Sequence, residues 1–517
     1  MISRTWRDSL YLIVFSLAFF QIGVVFADEN DLGTLTIGNM GAISGLDPAV
    51  EGSRLVEEAL IVETLVAIDQ EYNINPWLAT SWDQIDDTTW EFRLRDDVLF
   101  HDGSKMTASD VKFSLQRAAD LDGTVKGLLK LDSIDAVDET TLRIHTTEPN
   151  SILPAALHYY NAGIMSPKSL DDKGEVTAPI GTGPFRFESY DPQTQVLTAV
   201  RNDKWWGEKP KLDTVVIKPL TDPNTRVLAL ENGEVDFTME IPYNEVDRIS
   251  SQSEFTVEQF PSCYIYRVDL NSKRSALSDI RVRQALSYAT NREDIVKYVL
   301  FGIGASSKGP FNPEMPWTNN SIEPYSFDIE KAKELLAEAG WKDENDDGIL
   351  EKDGKPLKLS LITYSTRSTL PDIAESLAGQ YKSIGALVET EIMEWGAITD
   401  RRESGDWDMV LMATNTAMIP DPYYYLERSY GTGGAYNYVK YSNPVVDSIL
   451  NETLVVEDRD ERYQMFKDLQ AITWDEVMNI VIAHSNMLVV HDANIKGFEF
   501  DPTAHDYRLN ANVYKEG

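Results

Sequence analysis

The chain has 517 residues, of which 42% are hydrophobic, 25% charged and 10% aromatic, and this balance excludes a disordered protein. One hydrophobic core is not expected to suffice at that length, so we expect two or three packing units. The net charge of −37 repels nucleic acid and anionic lipid, which excludes both as partners.

Residues 1–27 have the layout of a signal peptide. Two arginines precede an apolar run from Leu10 to Phe20, and the segment ends at Ala27, a residue that suits signal peptidase. The run is short for the roughly 20 apolar residues that a bilayer needs, which disfavours an uncleaved anchor. Cys263 is the sole cysteine, which rules out a lipid-modified N-terminal cysteine. We therefore expect cleavage before Asp28 and export to the periplasm.

The hydrophobic period then switches repeatedly between strand and helix. Thr34–Ile37 alternates like a strand and runs into a glycine-rich turn at 38–41. Apolar residues recur near helical spacing over 53–66, and Trp90–Leu94 alternates again. This switching predicts an α/β protein.

Two helices have clear starting signals. Thr107 and Asp110 form a capping box before a helix whose apolar face begins at Val111. Asp328 caps a second helix, which Gly340 ends. The sequence therefore predicts both starts, and since no proline-rich linker follows, any domains are tightly joined.

Motifs of catalysis are missing from the sequence. It contains no His-Glu-x-x-His, no Gly-x-Ser-x-Gly, no phosphate-binding glycine loop and no cysteine pair. The six histidines show no ligand-type spacing, and 84 acidic residues make chance carboxylate pairs inevitable. We therefore do not expect an enzyme.

One loop suggests an ion. Asp343, Asn345 and Asp347 place oxygen ligands at alternate positions, with Gly348 at the sharp turn of a calcium loop. The twelfth position is Gly354 instead of the bidentate glutamate, which favours a solvated acidic turn. Calcium remains a candidate structural ion, and no cofactor is required.

Six collinear blocks carry a family resemblance. They are Phe100–Arg117, Gly181–Phe185, Asn202–Asp213, Asp279–Ala289, Phe327–Trp341, and Tyr441–Pro444 with Asp447. In this order they resemble the landmark blocks of the family 5 extracellular solute-binding proteins, the dipeptide, oligopeptide and nickel-binding group of ABC importers. The resemblance extends from about Thr34 to about Phe500, nearly the whole chain after the signal peptide.

The resemblance implies an α/β, two-lobed periplasmic binding protein fold with an additional domain. The ligand cleft would lie between lobes I and III and their two hinge strands. Residues 28–60, 184–268 and 492–517 would form lobe I, residues 61–183 domain II, and residues 269–491 lobe III. Within the blocks, Gly181 and Gly183 are interpreted as a tight crossing, and Trp205 and Trp206 as scaffold residues.

The resemblance also implies ligand-binding residues. Trp395 matches a motif of dipeptide-binding relatives in which a tryptophan contacts the ligand, and it is our first candidate. Arg367 lies roughly where those relatives carry an arginine for the ligand carboxylate, and its planar fork suits that contact. Weaker candidates are placed at the cleft by their strands or loops: Asn39, Met40, Tyr264, Arg267 and Asn415.

Residues 413–422 resemble the second ligand loop of the family. Where peptide binders place a carboxylate for the ligand's α-ammonium, this chain has Ala417 or Met418. Asp421 either substitutes for that carboxylate or caps the next helix, from Tyr423 onward. Since a buried ammonium needs an opposite charge or full hydrogen bonding, peptides with a free N-terminus are expected to bind poorly.

The function implied is capture of a peptide-like or other small polar organic solute by hinge closure. The expected partners are that solute and a membrane-embedded ABC permease, and we expect a monomer. Nickel-chelate binding is an alternative, and it is less favoured because neither ligand loop contains a histidine. Oligosaccharide binding is another, suggested by the aromatic residues Trp395, Trp407 and 423–425. A secreted hydrolase is disfavoured, and a sensor or chaperone would leave the same sequence.

Overall fold

The computed structural model describes residues 33–50 and 52–517, which form a mixed α/β structure. The predicted signal peptide, residues 1–27, lies outside these residues. Within the described ranges, no helix combines the length and the apolar character needed to cross a membrane.

The strands begin and end as follows: β1 (Thr34–Asn39), β2 (Val66–Ile68), β3 (Ile74–Pro76), β4 (Ala79–Asp86), β5 (Thr89–Leu94), β6 (Leu131–Ala136), β7 (Thr141–Thr146), β8 (Phe185–Asp191), β9 (Val196–Arg201), β10 (Thr214–Pro219), β11 (Phe237–Met239), β12 (Phe255–Leu270), β13 (Ala305–Ser306), β14 (Glu351–Lys352), β15 (Lys355–Pro356), β16 (Lys358–Tyr364), β17 (Leu387–Met393), β18 (Met409–Asn415), β19 (Asn479–Asp492), β20 (Ile495–Lys496) and β21 (Tyr514–Lys515).

The α-helices begin and end as follows: α1 (Ala108–Leu121), α2 (Gly123–Leu129), α3 (Leu153–Ala156), α4 (Pro223–Glu231), α5 (Val246–Ser250), α6 (Ile280–Tyr288), α7 (Arg292–Asp294), α8 (Ile329–Glu338), α9 (Thr369–Lys382), α10 (Trp395–Ser404), α11 (Tyr423–Tyr430), α12 (Pro444–Thr453) and α13 (Arg459–Asp475).

Two long strands, β12 and β19, join the two halves of an eleven-stranded sheet. Its order is β17-β16-β18-β12-β19-β11-β1-β10-β9-β8, with β13 added on β19. One half, here called the β1 half, contains β11, β1, β10, β9 and β8; the other, the β16 half, contains β18, β16 and β17. The pairing of β12 with β19 slips in register between Pro261 and Ile265, where the sheet passes from one half to the other. This is the two-lobed arrangement predicted above.

Each half has a parallel centre. β1 runs parallel to β10 and β11, and β16 runs parallel to β17 and β18. In sheets of this kind ligands bind outside the carboxyl ends of the strands, because the loops there are free to vary. The loops that follow β1, β11, β16, β17 and β18 are therefore the first place to look for a site.

Several elements follow the local sequence as predicted. In β1, Leu35 and Ile37 are buried. At the start of α1, the Asp110 carboxylate accepts hydrogen bonds from the backbone and hydroxyl of Thr107, at 2.9 and 2.7 Å. Asp328 accepts the Lys331 N–H at 2.8 Å to cap α8. Because these signals involve residues within four positions of each other, the sequence reveals them directly.

The helix suggested by the spacing over residues 53–66 is wrong. The segment is a series of turns in which Arg54 and Leu60 take left-handed backbone conformations, with φ of 61° and 50°. Its apolar residues are buried as expected, but so are Glu57, Glu58 and Glu63. Because the segment is enclosed on all sides, its apolar spacing does not report one helical face.

The sequence block around Gly181 does form a tight crossing. A side chain on Gly181 or Gly183 would overlap the backbone of Leu60 and Ile61. A separate antiparallel sheet, in the order β4-β5-β7-β6, lies between residues 79 and 146, with α1 packed on β6 and β7. It falls inside the segment predicted as domain II, and the domain boundaries themselves stay a prediction.

The C-terminal segment returns to the β1 half. Phe237 of β11 contacts Phe498 and Tyr507, with ring centroids 5.1 and 5.4 Å apart. Phe260 of β12 stacks on Phe500 at 5.0 Å. These contacts hold residues 498–507 against β11 and β12, which places their polar side chains beside the carboxyl ends of β1 and β11.

Candidate functional site

Arg367 lies in the loop after β16 and reaches toward the β1 half. The side chain is 12% exposed, and its Nη2 and Nη1 lie 3.6 Å from Asp506 Oδ1 and 4.0 Å from Glu240 Oε2. The guanidinium sits 4.3 Å above the ring centre of Tyr264. It donates no hydrogen bond to any described residue. A nearly buried cation with unused donors is a ready site for an anionic group.

Asp506 is the counter-charge on which several cations converge. Its Oδ2 lies 3.0 Å from Arg54 Nη1 and 3.2 Å from His505 Nδ1, and the side chain is 1% exposed. Burial alone would raise the pKa of Asp506, but His505, Arg54 and Arg367 outweigh it and hold the pKa well below its usual range. Asp506 is therefore a fixed negative charge at the site.

Arg54 and Asn39 place a second carboxylate beside the first. Arg54 Nη1 lies 3.1 Å from Glu58 Oε1, and Asn39 Nδ2 donates to Glu58 Oε2 at 2.8 Å. Burial raises the pKa of Glu58 to about 8, against the lowering effect of Arg54. A side chain at Gly41 would lie 2.7 Å from Arg54 Nη2, so this glycine leaves room for the arginine.

We call Arg54, Glu58, Glu240, Tyr264, Arg367, His505 and Asp506 the interlobe cluster. Beside it, a cavity of about 80 Å³ is lined by residues 52–57 with Tyr160 and His505. The aromatic rings of Tyr160 and Tyr264 each meet His505 edge to face, at 6.1 and 6.3 Å. The cluster thus combines fixed charges of both signs with aromatic walls, which suits a polar solute.

Trp395 stands at the first turn of α10, after β17. Its ring meets that of Tyr364 edge to face at 4.9 Å, and the residue is 50% exposed. A half-exposed tryptophan is unusual in a folded protein, because this side chain is mostly buried on average. The position of Trp395 next to the carboxyl end of β16 leaves a face of its ring available to a ligand. That Trp395 binds ligand stays a prediction.

The loop after β18 is more enclosed than its polar sequence suggests. Asn415 lies opposite Tyr264 in the pairing of β18 with β12, and its Oδ1 accepts the Ala417 N–H at 2.9 Å. Ala417 is fully buried and Met418 is 7% exposed. Neither offers a charge, in agreement with the sequence. Met40, after β1, is partly buried.

Asp421 is engaged within the protein. Its Oδ2 pairs with Arg462 Nη2 at 2.5 Å, and its Oδ1 accepts the Tyr423 N–H at 2.9 Å at the start of α11. The residue is fully buried. Of the two roles weighed for Asp421, this geometry favours the start of the helix. Arg267 is likewise occupied, by Asp269 at 3.0 Å and Tyr425 at 2.7 Å.

The side chains of the acidic loop accept hydrogen bonds from the backbone of the same loop. Asp343, Asn345 and Asp347 accept N–H groups of Gly348, Asp347 and Ile349 at 2.8 to 3.0 Å. Among the residues that the structure describes, no group of three or more histidine, cysteine or acidic side chains is placed to hold a metal ion. The calcium loop therefore stays an untested prediction.

Comparison with known proteins decides the family. The family model for bacterial extracellular solute-binding proteins, family 5, matches residues 73–437. The chain belongs to this family. The assignment made from the six sequence blocks is therefore confirmed, together with the two-lobed fold and solute binding as the function.

Three relatives show how far the likeness extends. The oligopeptide-binding protein AppA of Bacillus subtilis is 28% identical over 509 residues, covering 92% of this chain and 91% of AppA. The crystal structure of NikA from Staphylococcus aureus in complex with Ni(L-His)2 has a TM-score of 0.80 and 25% identity, covering 94% of this chain and 100% of that chain. DppA of Helicobacter pylori, an ABC transporter-associated periplasmic binding protein in complex with peptide STSA, has a TM-score of 0.78 and 27% identity, covering 94% and 98%.

In this family 5 protein, sequence reasoning found part of the cluster and missed the rest. It named Arg367 and Tyr264 of the cluster, and also Asn39, which donates to the cluster residue Glu58. It did not name Arg54 or Asp506. The one available signal was the predicted assembly of 28–60 and 492–517 into one lobe, which brings both residues near the cleft.

Proposed function

We propose that this protein binds a small polar organic solute that carries a carboxylate, and that Arg367 receives that carboxylate. The observation that carries the proposal is the guanidinium of Arg367, which is 12% exposed and donates no hydrogen bond to a described residue. An arginine fork in that setting gains two parallel charge-assisted bonds from a ligand carboxylate. Asp506 and Glu240 balance its charge from 3.6 and 4.0 Å, beyond hydrogen-bond distance.

A peptide-like or other amino-acid-derived solute is the leading class. The related AppA is an oligopeptide-binding protein, and the related DppA was solved with a peptide. The resemblance assigns to Ala417 or Met418, which carry no charge, the position where peptide binders place a carboxylate for the α-ammonium, and the carboxylates of the interlobe cluster face arginines. We therefore propose that the ligand is held through its carboxylate and that a free N-terminus adds little.

A metal chelate of an amino acid is the second candidate. His505 lines the small cavity of the cluster, and the related NikA binds Ni(L-His)2. Since no described group of three or more histidine, cysteine or acidic residues is placed to hold a metal ion, a metal would arrive with its own organic ligands.

We further propose that the protein is exported through cleavage before Asp28, acts without catalysis, and delivers its solute to an ABC permease. The family assignment and the ABC-associated relative DppA support this role. Closure of the two lobes around the solute would compact the protein. Scattering with and without a ligand confirmed by calorimetry measures that compaction, and an unchanged radius of gyration would contradict hinge closure.

A peptide library in four forms tests the ligand assignment: free, N-acetylated, C-amidated, and modified at both ends. Saturating ligand at a hundredfold excess over Kd stabilises the folded state by about 2.7 kcal/mol, which a thermal shift detects. We expect acetylation to be tolerated and amidation to weaken binding roughly a hundredfold or more. A nickel and L-histidine mixture is titrated in parallel for the second candidate.

Arg367→Met should abolish the difference between free and amidated ligands. The matched control is Arg186→Met, which removes an exposed arginine paired with Glu188 at 3.5 Å. If amidated and free peptides bind equally well to the unaltered protein, the proposed role of Arg367 is wrong. Submicromolar binding lost on N-acetylation would show that a carboxylate grips the amine instead.

A further inference from the structure

A second and larger cavity borders the interlobe cluster, and Val56 lines both this cavity and the smaller one. It measures about 370 Å³ and opens between residues 56–70 and 499–512. Trp77 and Trp205 form part of its wall, and Leu60, Val62, Phe500 and Leu509 supply apolar surface. None of Arg367, Asp506 or Trp395 lines it. A cavity of this size with mixed walls is within the range of small-molecule sites.

Tryptophan rings line this second cavity in a fixed arrangement. The indole N–H groups of Trp77 and Trp205 both donate to Glu63 Oε1, at 2.9 and 3.2 Å, and their ring centroids lie 6.3 Å apart. Trp206 donates to the other oxygen of Glu63 at 3.2 Å. Because their polar N–H groups are occupied, the rings of Trp77 and Trp205 offer only their π-systems to a ligand.

The same aromatic group already binds one cation of the protein. The guanidinium of Arg95 lies 4.2 Å above the ring of Trp206, which is not part of the cavity wall. Within the described part of the chain, no cation is placed over Trp77 or Trp205. Each of these two rings packs against the other and against Trp206, but both residues are partly exposed and line the cavity. The part of each ring that faces the cavity is therefore accessible for a cation contact like the one that Trp206 makes.

Charges around the cavity favour a cation. Its lining contains the carboxylates of Glu63, Glu208, Glu499 and Asp501 against one cation, Arg508, which is held by Asp501 at 2.9 Å. Glu208 and Glu499 are exposed and make no ion pair with described residues. Their charge is therefore uncompensated at the mouth of the cavity, where it would attract a positive ligand.

We propose that this cavity is a second binding site, for a small organic cation with an apolar body, such as an alkylated ammonium compound. The cation would lie against the faces of Trp77 and Trp205, with Glu208 and Glu499 near it and the apolar part against residues 60–62 and 500. The site is independent of Arg367 and of the carboxylate-bearing solute proposed above.

One wall separates the two sites. Glu57 accepts the backbone N–H of His505, in the interlobe cluster, at 3.0 Å. Its same oxygen lies 3.9 Å from Arg508 Nη2, which lines the second cavity. Residues 54–58 and 501–508 thus form a shared wall between the two sites.

Choline is the probe, and its neutral isostere, in which a tert-butyl group replaces the trimethylammonium group, is the control ligand. Titrations at about pH 8 keep Glu63 mostly ionised, since burial raises the pKa of this residue to about 7. Indole N–H resonances assigned to Trp77 and Trp205 report binding in the cavity, and those of Trp395 report binding at the cleft. We expect choline to shift the first pair and the isostere to bind at least tenfold more weakly.

Variants locate the cation. Glu208→Gln with Glu499→Gln removes two exposed charges without altering packing, and should weaken choline binding severalfold. Trp205→Leu should weaken it roughly threefold to thirtyfold. The matched control pair is Glu403→Gln with Glu457→Gln, two exposed carboxylates outside the cavity, and Arg367→Met serves as a cleft control. Both controls should bind choline unchanged.

Three results would overturn the proposal. These are no shift of the Trp77 and Trp205 resonances at millimolar choline, equal binding of the neutral isostere, and choline binding that is lost in Arg367→Met but kept in the Glu208 and Glu499 variant. None of them bears on Arg367 as a carboxylate receptor, because choline carries no carboxylate.

Discussion

Neutralising Asp506 is the most direct perturbation of the interlobe cluster. Asp506→Asn keeps the shape of the side chain and removes the charge shared by Arg54 at 3.0 Å, His505 at 3.2 Å and Arg367 at 3.6 Å. Removing one partner of a buried ion pair typically costs about 3–5 kcal/mol, since the other charge stays buried. Arg54 keeps Glu58 at 3.1 Å and Arg367 keeps Glu240 at 4.0 Å. Because the charge of Asp506 is one of the causes that raise the pKa of Glu58, its removal favours the ionised form of Glu58 beside Arg54. We therefore expect the lower end, about 3 kcal/mol.

Thermal and urea unfolding at neutral pH measure the loss, compared at the first transition because a chain of this size need not unfold in one step. Asp203→Asn is the matched control: this carboxylate is exposed and pairs with Lys209 at 2.7 Å, so its loss should be barely measurable. Adding Arg54→Met to Asp506→Asn closes a double-mutant cycle, in which the coupling energy should exceed 1 kcal/mol. A loss for Asp506→Asn as small as that of the control, or no coupling with Arg54, would refute the reasoning.

Three further outcomes are expected. Both ring nitrogens of His484 are buried without a partner among the described residues, and burial lowers its pKa from 6.5 to about 4. The unfolded chain therefore takes up a proton at His484 that the folded chain does not, and this group alone lowers the free energy of unfolding by about 2 kcal/mol between pH 7 and pH 5. His484→Leu should remove this contribution from the pH dependence of the melting temperature, while that of His101, whose pKa burial also lowers to about 4, remains. In Gly183→Ala the new methyl group would overlap the backbone of Ile61, and we expect the free energy of unfolding, measured in urea, to fall by at least about 1–3 kcal/mol. The control is Gly127→Ala, where a methyl group meets open space within α2. This change should be neutral or stabilising by less than about 1 kcal/mol. Trp395→Ala, at a half-exposed position, should change the free energy of unfolding by no more than about 0.5 kcal/mol, yet it should lower the affinity for any ligand that calorimetry identifies. An unchanged affinity would show that Trp395 is not part of the site.

Local signals in the sequence decided a large part of the architecture. The alternation at Leu35 and Ile37, the capping group of Thr107 and Asp110, and the cap at Asp328 depend on neighbours a few positions away, so each is readable along the chain. The order of six blocks identified the family, and the family model confirms it. The family resemblance in turn predicts Arg367 and Tyr264 near the cleft, and that they bind ligand stays a prediction.

Tertiary structure alone decided how those residues combine. Arg54 and Asp506 are separated by 452 positions yet lie 3.0 Å apart, and nothing near either residue marks it among 84 acidic and 47 basic side chains. Residues 53–66 show that a local pattern also fails to predict tertiary structure: their apolar residues recur at helical spacing, yet the segment forms turns. Charge pairing and enclosure are set by which segments the sheet brings together, and they leave no periodic trace in the sequence because the partners belong to distant parts of the chain.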